Sequence, residues 1–194
     1  MKELILLKSG EVVLKGLNRH NFEDVMIKNM KRRIEDLGAF RIWKKQSTLY
    51  VEPQSEDIDM DLLVSRLQTV FGIAALTRAC IVEKNFEDIC AKSREYLAET
   101  LEEARTFKVE AKRADKLFPM TSPEICRELG GQLLEEFPHL RVDVEHPDVT
   151  VTVEIRETAA YVHTDQLPGA GGMPVGTSGK AAMLLSGGID SPVA

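Results

Sequence analysis

The chain has 194 residues, 43% of them hydrophobic and 29% charged, with a formal net charge of −6. That balance excludes a disordered chain and allows one ordinary domain or two small ones around a real core. The total charge argues against an indiscriminate polyanion binder, yet it divides into blocks: residues 1–50 carry 11 basic and 6 acidic groups, residues 51–104 carry 5 and 12, residues 105–118 carry 5 and 2, and residues 119–165 carry 3 and 10. A partner feels the local field of a face, so two basic blocks leave room for a polyanion.

In chain order, Leu4 to Leu7 predict a short apolar strand, and Lys8 to Gly16 a polar connection. Phe22, Val25, Met26, Met30, Ile34 and Leu37 then recur at helical spacing until Gly38. Two short strands follow, Phe40 to Lys45 and Thr48 to Glu52, then a helix from Met60 to Val70 and a closing strand from Ala74 to Val82. Strand, helix, strand, strand, helix, strand is the order of a ferredoxin-like unit. A second α/β unit opens with one long helix running to residue 104, through Phe86, Ile89, Tyr96, Leu97 and Leu101. In residues 107–113 Phe107, Val109 and Ala111 alternate with Lys108, Glu110 and Lys112. Thr121 or Ser122 with Pro123 and Glu124 starts another helix, whose stripe is Ile125, Leu129, Leu133 and Phe137. Val149 to Ile155 alternates as a strand, and Ala160 to His163 continues the sheet. The boundary between the units falls between about residues 60 and 84, boundaries being the least legible feature of a sequence.

Residues 166–182 contain five glycines and two prolines, and read as a linker or backbone-lined loop. Met183 to Leu185 then predict a new strand running into Ser186-Gly187-Gly188-Ile189-Asp190-Ser191. Such a turn offers consecutive N–H groups and two hydroxyls to an anion, and its glycines let phosphates approach the backbone. It is not the GxxxxGK[ST] loop, because Pro174 stands where that motif needs glycine and Lys180 is followed by Ala181.

The string SGGIDSPVA is similar to the loop of the PP-loop ATP pyrophosphatases, in the form found in tRNA 4-thiouridine synthetases. GEVVLKGLNRHNFE resembles the N-terminal ferredoxin-like segment of that family, while FKVEAKRADKLFPMTSPEICRELGG and VTVEIRETAAYVH resemble its THUMP domain. The resemblance covers essentially the whole chain in the family's order. It implies an α+β architecture: a ferredoxin-like domain over residues 1–75, a THUMP domain over 76–165, a glycine-rich linker over 166–182, and an incomplete PP-loop ATP pyrophosphatase domain from 183 to 194.

In that family ATP adenylates a uridine carbonyl at position 8 of tRNA, and a persulfide sulfur from a cysteine desulfurase replaces the activated oxygen. By resemblance, Leu184, Leu185, Ser186, Gly187, Gly188, Asp190 and Ser191 would hold ATP, with Mg near Asp190 in the full-length protein. The family's sulfur-carrying cysteine has no counterpart here, so Cys80, Cys90 and Cys126 are expected to be reduced core thiols. Neither thiolation nor a tightly bound cofactor is expected of this chain alone. The expected partner is tRNA, touched by Lys15 and Arg19, with the Lys31-Arg32-Arg33 run beside them, and by Lys108, Lys112, Arg113 and Lys116, of which Lys112 and Arg113 are the strongest candidates. Such contacts position an RNA without reading its bases. Trp43 is a candidate for base stacking or, more simply, for packing, and the four histidines have no ligand-like spacing.

The family also implies a thiamine-biosynthesis role in many relatives. No run of about 18 apolar residues and no secretory signal are present, so a cytoplasmic protein without membrane contact is expected. Apolar surface left by an absent catalytic domain would favour a homodimer. Two alternatives stand beside this reading: a THUMP-containing RNA methyltransferase, which would need a SAM-binding glycine loop in place of SGGIDS, and a free-standing, non-catalytic RNA-binding adaptor.

Overall fold

The computed structural model describes residues 1–180, 182, 184 and 187–190. Strand β1 (Glu3–Ser9) leads into a 3-10 helix over Glu11–Asn18 and then helix α1 (Arg19–Ile34). Strands β2 (Phe40–Lys45) and β3 (Thr48–Pro53), helix α2 (Met60–Gln68) and strand β4 (Ile73–Val82) complete the first half. The second half contains α3 (Phe86–Tyr96), α4 (Ala98–Glu103), β5 (Thr106–Arg113), α5 (Ser122–Glu136), β6 (Arg141–Val142), β7 (Val149–Ile155), β8 (Ala160–His163) and β9 (Leu167–Pro168).

Local chemistry explains the element ends. The Asp59 carboxylate accepts from the amides of Asp61 and Leu62, and the Asn85 side chain accepts from Asp88 N–H, so both cap orphan donors at helix starts. At α5 the Thr121 N–H and hydroxyl both donate to the Glu124 carboxylate, as the T-x-x-E spacing anticipates. Three expectations need correction. The polar connection after β1 is largely a 3-10 helix, which Gly16 breaks at φ 52. The long helix before residue 104 is two helices, because Leu97 leaves helical geometry and its buried side chain turns the chain. The glycine-rich segment is not simply a linker. Its start pairs with β4, and successive bonds run from Gly169 N to Ala74 O (2.9 Å), Gly171 N to Ile73 O (2.8 Å) and Gly72 N to Gly171 O (2.7 Å). A Cβ on Gly169 would lie 2.2 Å from Ile73 O, so this approach requires glycine.

The nine strands of the described residues belong to one sheet, ordered β2-β3-β1-β4-β8-β7-β5-β6 with β9 on β4. The first four strands give the ferredoxin-like order, while β5 runs parallel to β7 with α5 in the crossover. Residue alternation on β4 shows how the halves join. Leu76 belongs to the core formed with α1 and α2, and Cys80 and Val82 to the core formed with α3, α4 and α5. Arg78 lies between them and binds both Glu3 carboxylate oxygens (2.7 and 2.8 Å) and Asp61 (3.0 Å). The two apolar cores thus share one sheet face and meet at a polar seam.

The opposite face carries no helix among the described residues. Flat strands would set β3 and β8 about 14 Å apart across three spacings. The Tyr50 and Tyr161 rings nevertheless lie 5.7 Å apart, and Trp43 stacks on Tyr50 at 5.0 Å. The sheet therefore curls toward this face and buries Leu4, Leu6, Tyr50 and Tyr161.

Candidate nucleic-acid interface

Strand β5 alternates as its sequence predicts. Phe107, Val109 and Ala111 pack toward the helices, which sends Lys108 and Lys112 to the helix-free face. Neither lysine stands without a counter-charge: Lys108 Nζ is 2.9 Å from Glu110, and Lys112 Nζ is 4.0 Å from Glu154. Partly exposed pairs of this kind contribute about 0–1 kcal/mol, so a phosphate can compete for the lysine.

Arg113, expected to touch RNA, also has partners inside the fold. It shares the helix-facing side of β5, and its Nη1 donates to the carbonyls of Phe118 (3.1 Å) and Met120 (2.7 Å). Its charge is spent on holding the loop after β5. The same loop is tied from the other side, where Asp115 accepts from Leu117 N (2.8 Å) and Lys84 Nζ (2.6 Å). Lys84 also donates to Glu157 O at 2.9 Å, and Phe118 is buried. The hydrogen bond from Lys84 holds the Asp115 carboxyl below the usual carboxylate range. Lys116 and Leu117 remain exposed at the tip.

The other basic group, Lys15 and Arg19, sits at the 3-10 helix and the start of α1. Lys15 is exposed, with Nζ 5.2 Å from the Phe22 ring centroid. Arg19 is bound to the buried Glu23 at 2.7 Å, and Lys44 reaches the other oxygen of the same carboxylate. Arg19 is therefore engaged within the fold as well as being a candidate contact. Lys31, Arg32 and Arg33 are exposed in the last turn of α1, where their charge complements the helix dipole. The two groups do not converge: one lies on the helical side of the first half, the other on the helix-free face and edge of the second.

A polar cluster that the sequence reading passed over joins the halves across the curl. Glu154 is buried, bound to Arg156 at 2.6 Å and 3.6 Å from His163 Nε2. Burial pushes its carboxyl up, but His163 and Arg156 more than offset this and bring the pKa to about 2. Arg156 also reaches Gln46 (3.1 Å), and Glu157 pairs with Lys45 (2.6 Å). The signal available was the single acid in TVTVEI, placed by alternation among threonines on the polar side of its strand.

Trp43 packs against Tyr50 with Arg41 over its ring at 4.9 Å, so its aromatic face is occupied within the fold. Cys80 and Cys90 are buried, and burial raises each thiol to about 11; Cys126 is half-buried and its thiol is also raised by burial. Leu184, Gly187, Gly188 and Asp190 are exposed and lie in no helix or strand. Among the described residues, none apart from its chain neighbours lies within 4 Å of a Cβ built on Gly187. Leu185, Ser186 and Ser191, together with Met183 of the expected strand, lie outside the described residues. Among the described residues no helix is long and apolar enough to cross a membrane.

Comparison with known proteins shows what these features resemble. Residues 4–77 match the model of the ThiI ferredoxin-like domain, and residues 83–165 match the THUMP domain. A probable tRNA sulfurtransferase of Acetivibrio thermocellus is 46% identical over 196 aligned positions, covering 100% of this chain and 50% of that relative. A crystal structure of a 4-thiouridine synthetase–RNA complex with bound ATP superposes with a TM-score of 0.84 at 36% identity, covering 100% of this chain and 48% of the other. The structure of PH1313 from Pyrococcus horikoshii gives 0.75 at 26% identity, over 90% of this chain and 57% of its own. The chain thus spans about half the length of the curated relatives it matches. With matches to a ThiI ferredoxin-like domain followed by a THUMP domain, it is similar along its whole length to proteins named tRNA sulfurtransferase and to a 4-thiouridine synthetase.

Proposed function

We propose that this chain is the tRNA-binding portion of an ATP-dependent tRNA sulfurtransferase that forms 4-thiouridine at position 8. The observation that carries the reading is the match, from end to end of the chain, to proteins named for that activity. The geometry is consistent with it: Lys112 and the tip of the tied loop form one exposed basic margin beside the helix-free face. In this reading residues 1–75 and 76–165 are the two domains, 166–182 the strap between them and the next unit, and 183–194 the beginning of the ATP-binding unit.

ATP bound at Ser186–Ser191, with Mg near Asp190, would supply activation of the uridine oxygen as a leaving group. The described residues of that loop contain no complete phosphate cradle, so no step is assigned to them. What this chain's own residues contribute is RNA binding and orientation. The 194 residues alone are proposed to transfer no sulfur, since two of the three thiols are buried and all three are held protonated by burial. A cysteine desulfurase as sulfur donor, a homodimer, a cytoplasmic location and a role in thiamine synthesis complete the proposal for the whole protein. The methyltransferase alternative is weaker, because the full-length matches carry the sulfurtransferase name.

The test is binding of this chain to folded tRNA and to an unstructured RNA of equal length, across a salt series. Preference for folded tRNA that weakens with salt is expected. Equal binding to both, or none at physiological salt, would contradict the proposed role.

A further inference from the structure

The helix-free face encloses a small polar cavity where the two halves meet. Leu6 and Thr77 reach it from β1 and β4, Thr48 from β3, and Glu154 and His163 from β7 and β8. Lys8 and Gln166 line its solvent side, joined by a hydrogen bond of 2.9 Å. The space inside is about 10 Å³, close to the least that holds one water molecule.

His163 gives this cavity its chemistry. The residue is 6% exposed, and its Nδ1 lies 3.3 Å from the Thr164 carbonyl oxygen. A carbonyl only accepts, so Nδ1 carries the hydrogen. The other nitrogen, Nε2, is buried and has no hydrogen-bond partner among the described residues. Glu154 Oε1, at 3.6 Å, is beyond hydrogen-bond length. A buried nitrogen in that position is costly to leave unsatisfied, so it calls for a small polar partner.

The surroundings select which partner. A cation would be repelled by Arg156 and Lys8, and an anion by the Glu154 carboxylate. Water is neutral and both donates and accepts. It can donate to a bare Nε2 or accept from a protonated one, so it serves the ring in either charge state. The hydroxyls of Thr48 and Thr77 supply further partners of either sense.

We propose that this cavity is a site for one structural water, held between His163 Nε2 and a hydroxyl of Thr48 or Thr77. The histidine belongs to the second half and both threonines to the first, so the water bridges the halves across the helix-free face. The site does not depend on the RNA-binding reading.

The test is oxygen-17 magnetic relaxation dispersion of water around the 194-residue chain, paired with a high-resolution crystal structure of the wild type. The dispersion counts waters held longer than the protein takes to tumble, so surface hydration drops out. His163→Phe removes the polar atom at Nε2 and should lower the dispersion amplitude by that of about one water. Thr48→Val and Thr77→Val each exchange a hydroxyl for a methyl, and at least one should shorten the residence of the same water. In the crystal, a water should lie within about 3.2 Å of Nε2 and of one threonine oxygen. Equal amplitudes in wild type and folded His163→Phe would overturn the proposal. A residence time unmoved by both threonine variants would overturn the bridge between the halves. If His163→Phe does not fold, the crystal structure decides, and Nε2 bonded directly to Glu154 with no water between them overturns the site.

Discussion

The two halves of the sheet use their basic residues in opposite ways. In the first half, Arg19 and Lys44 converge on the buried Glu23, and Lys2 binds Glu52 at 2.5 Å, so part of the positive charge counted there is matched by carboxylates of the fold, while Lys15, Lys31, Arg32 and Arg33 stay exposed. In the second half, one arginine is spent on the backbone of a loop, and the loop then presents a lysine to solvent. The difference teaches that a basic block in a sequence measures charge, whereas an interface requires charge that the fold leaves free.

The comparison can be broken most forcefully at Glu154, where the halves meet. Glu154→Ala should cost about 3–5 kcal/mol in chemical denaturation, because it strands Arg156 away from water's full compensation. The same group makes a pH prediction. Its folded pKa, near 2, lies below the ordinary value of 4.5, so its contribution to stability is complete above pH 4.5. That contribution is lost as pH falls toward 2. Acid titration of stability should therefore show a loss in this window that Glu154→Gln lacks.

Next in size is the strap. Gly169→Val would place side-chain atoms against Ile73 O and should cost about 1–3 kcal/mol while opening residues 167–171 to amide exchange. Exchange unchanged at those residues would show that the strap does not depend on its pairing with β4. Arg113→Ala should destabilise by about 1.5–3 kcal/mol, the cost of losing hydrogen bonds from a charged donor. Lys116→Ala is the smallest in stability, within about 0.5 kcal/mol, and its consequence should appear in RNA affinity alone. Equal thermal shifts in Arg113→Ala and Lys116→Ala would erase the distinction between scaffold and contact.

Much of this fold was legible because period and punctuation agree with it. The β5 alternation, the Thr121–Glu124 cap and the stripe ending at Gly38 each follow from local chemistry that tertiary packing reinforces. What could not be read is non-local. A glycine-rich run looks the same whether it is a free linker or a strap, and only proximity to Ile73 reveals why Gly169 is glycine. The break at Leu97 was hidden because both helices bury the same apolar stripe. Basic candidates were found by type and spacing, but Arg19 and Arg113 differ from Lys15 and Lys116 by partners that the helix turn and the loop bring to them. The string SGGIDS was singled out by its own residues, and several of them lie outside those described.

On the proposed reading RNA is held by the second half, where Lys112 is only loosely paired and Lys116 stands exposed on a tied loop. The most direct measurement is the salt dependence of folded-tRNA affinity for wild type, Lys15→Ala and the double variant Lys112→Ala/Lys116→Ala. The double variant should weaken binding and reduce the slope of log affinity against log salt by about two, while Lys15→Ala should change it by less than one. A slope that falls with Lys15→Ala and is untouched in the double variant would place the RNA on the first half and contradict the account.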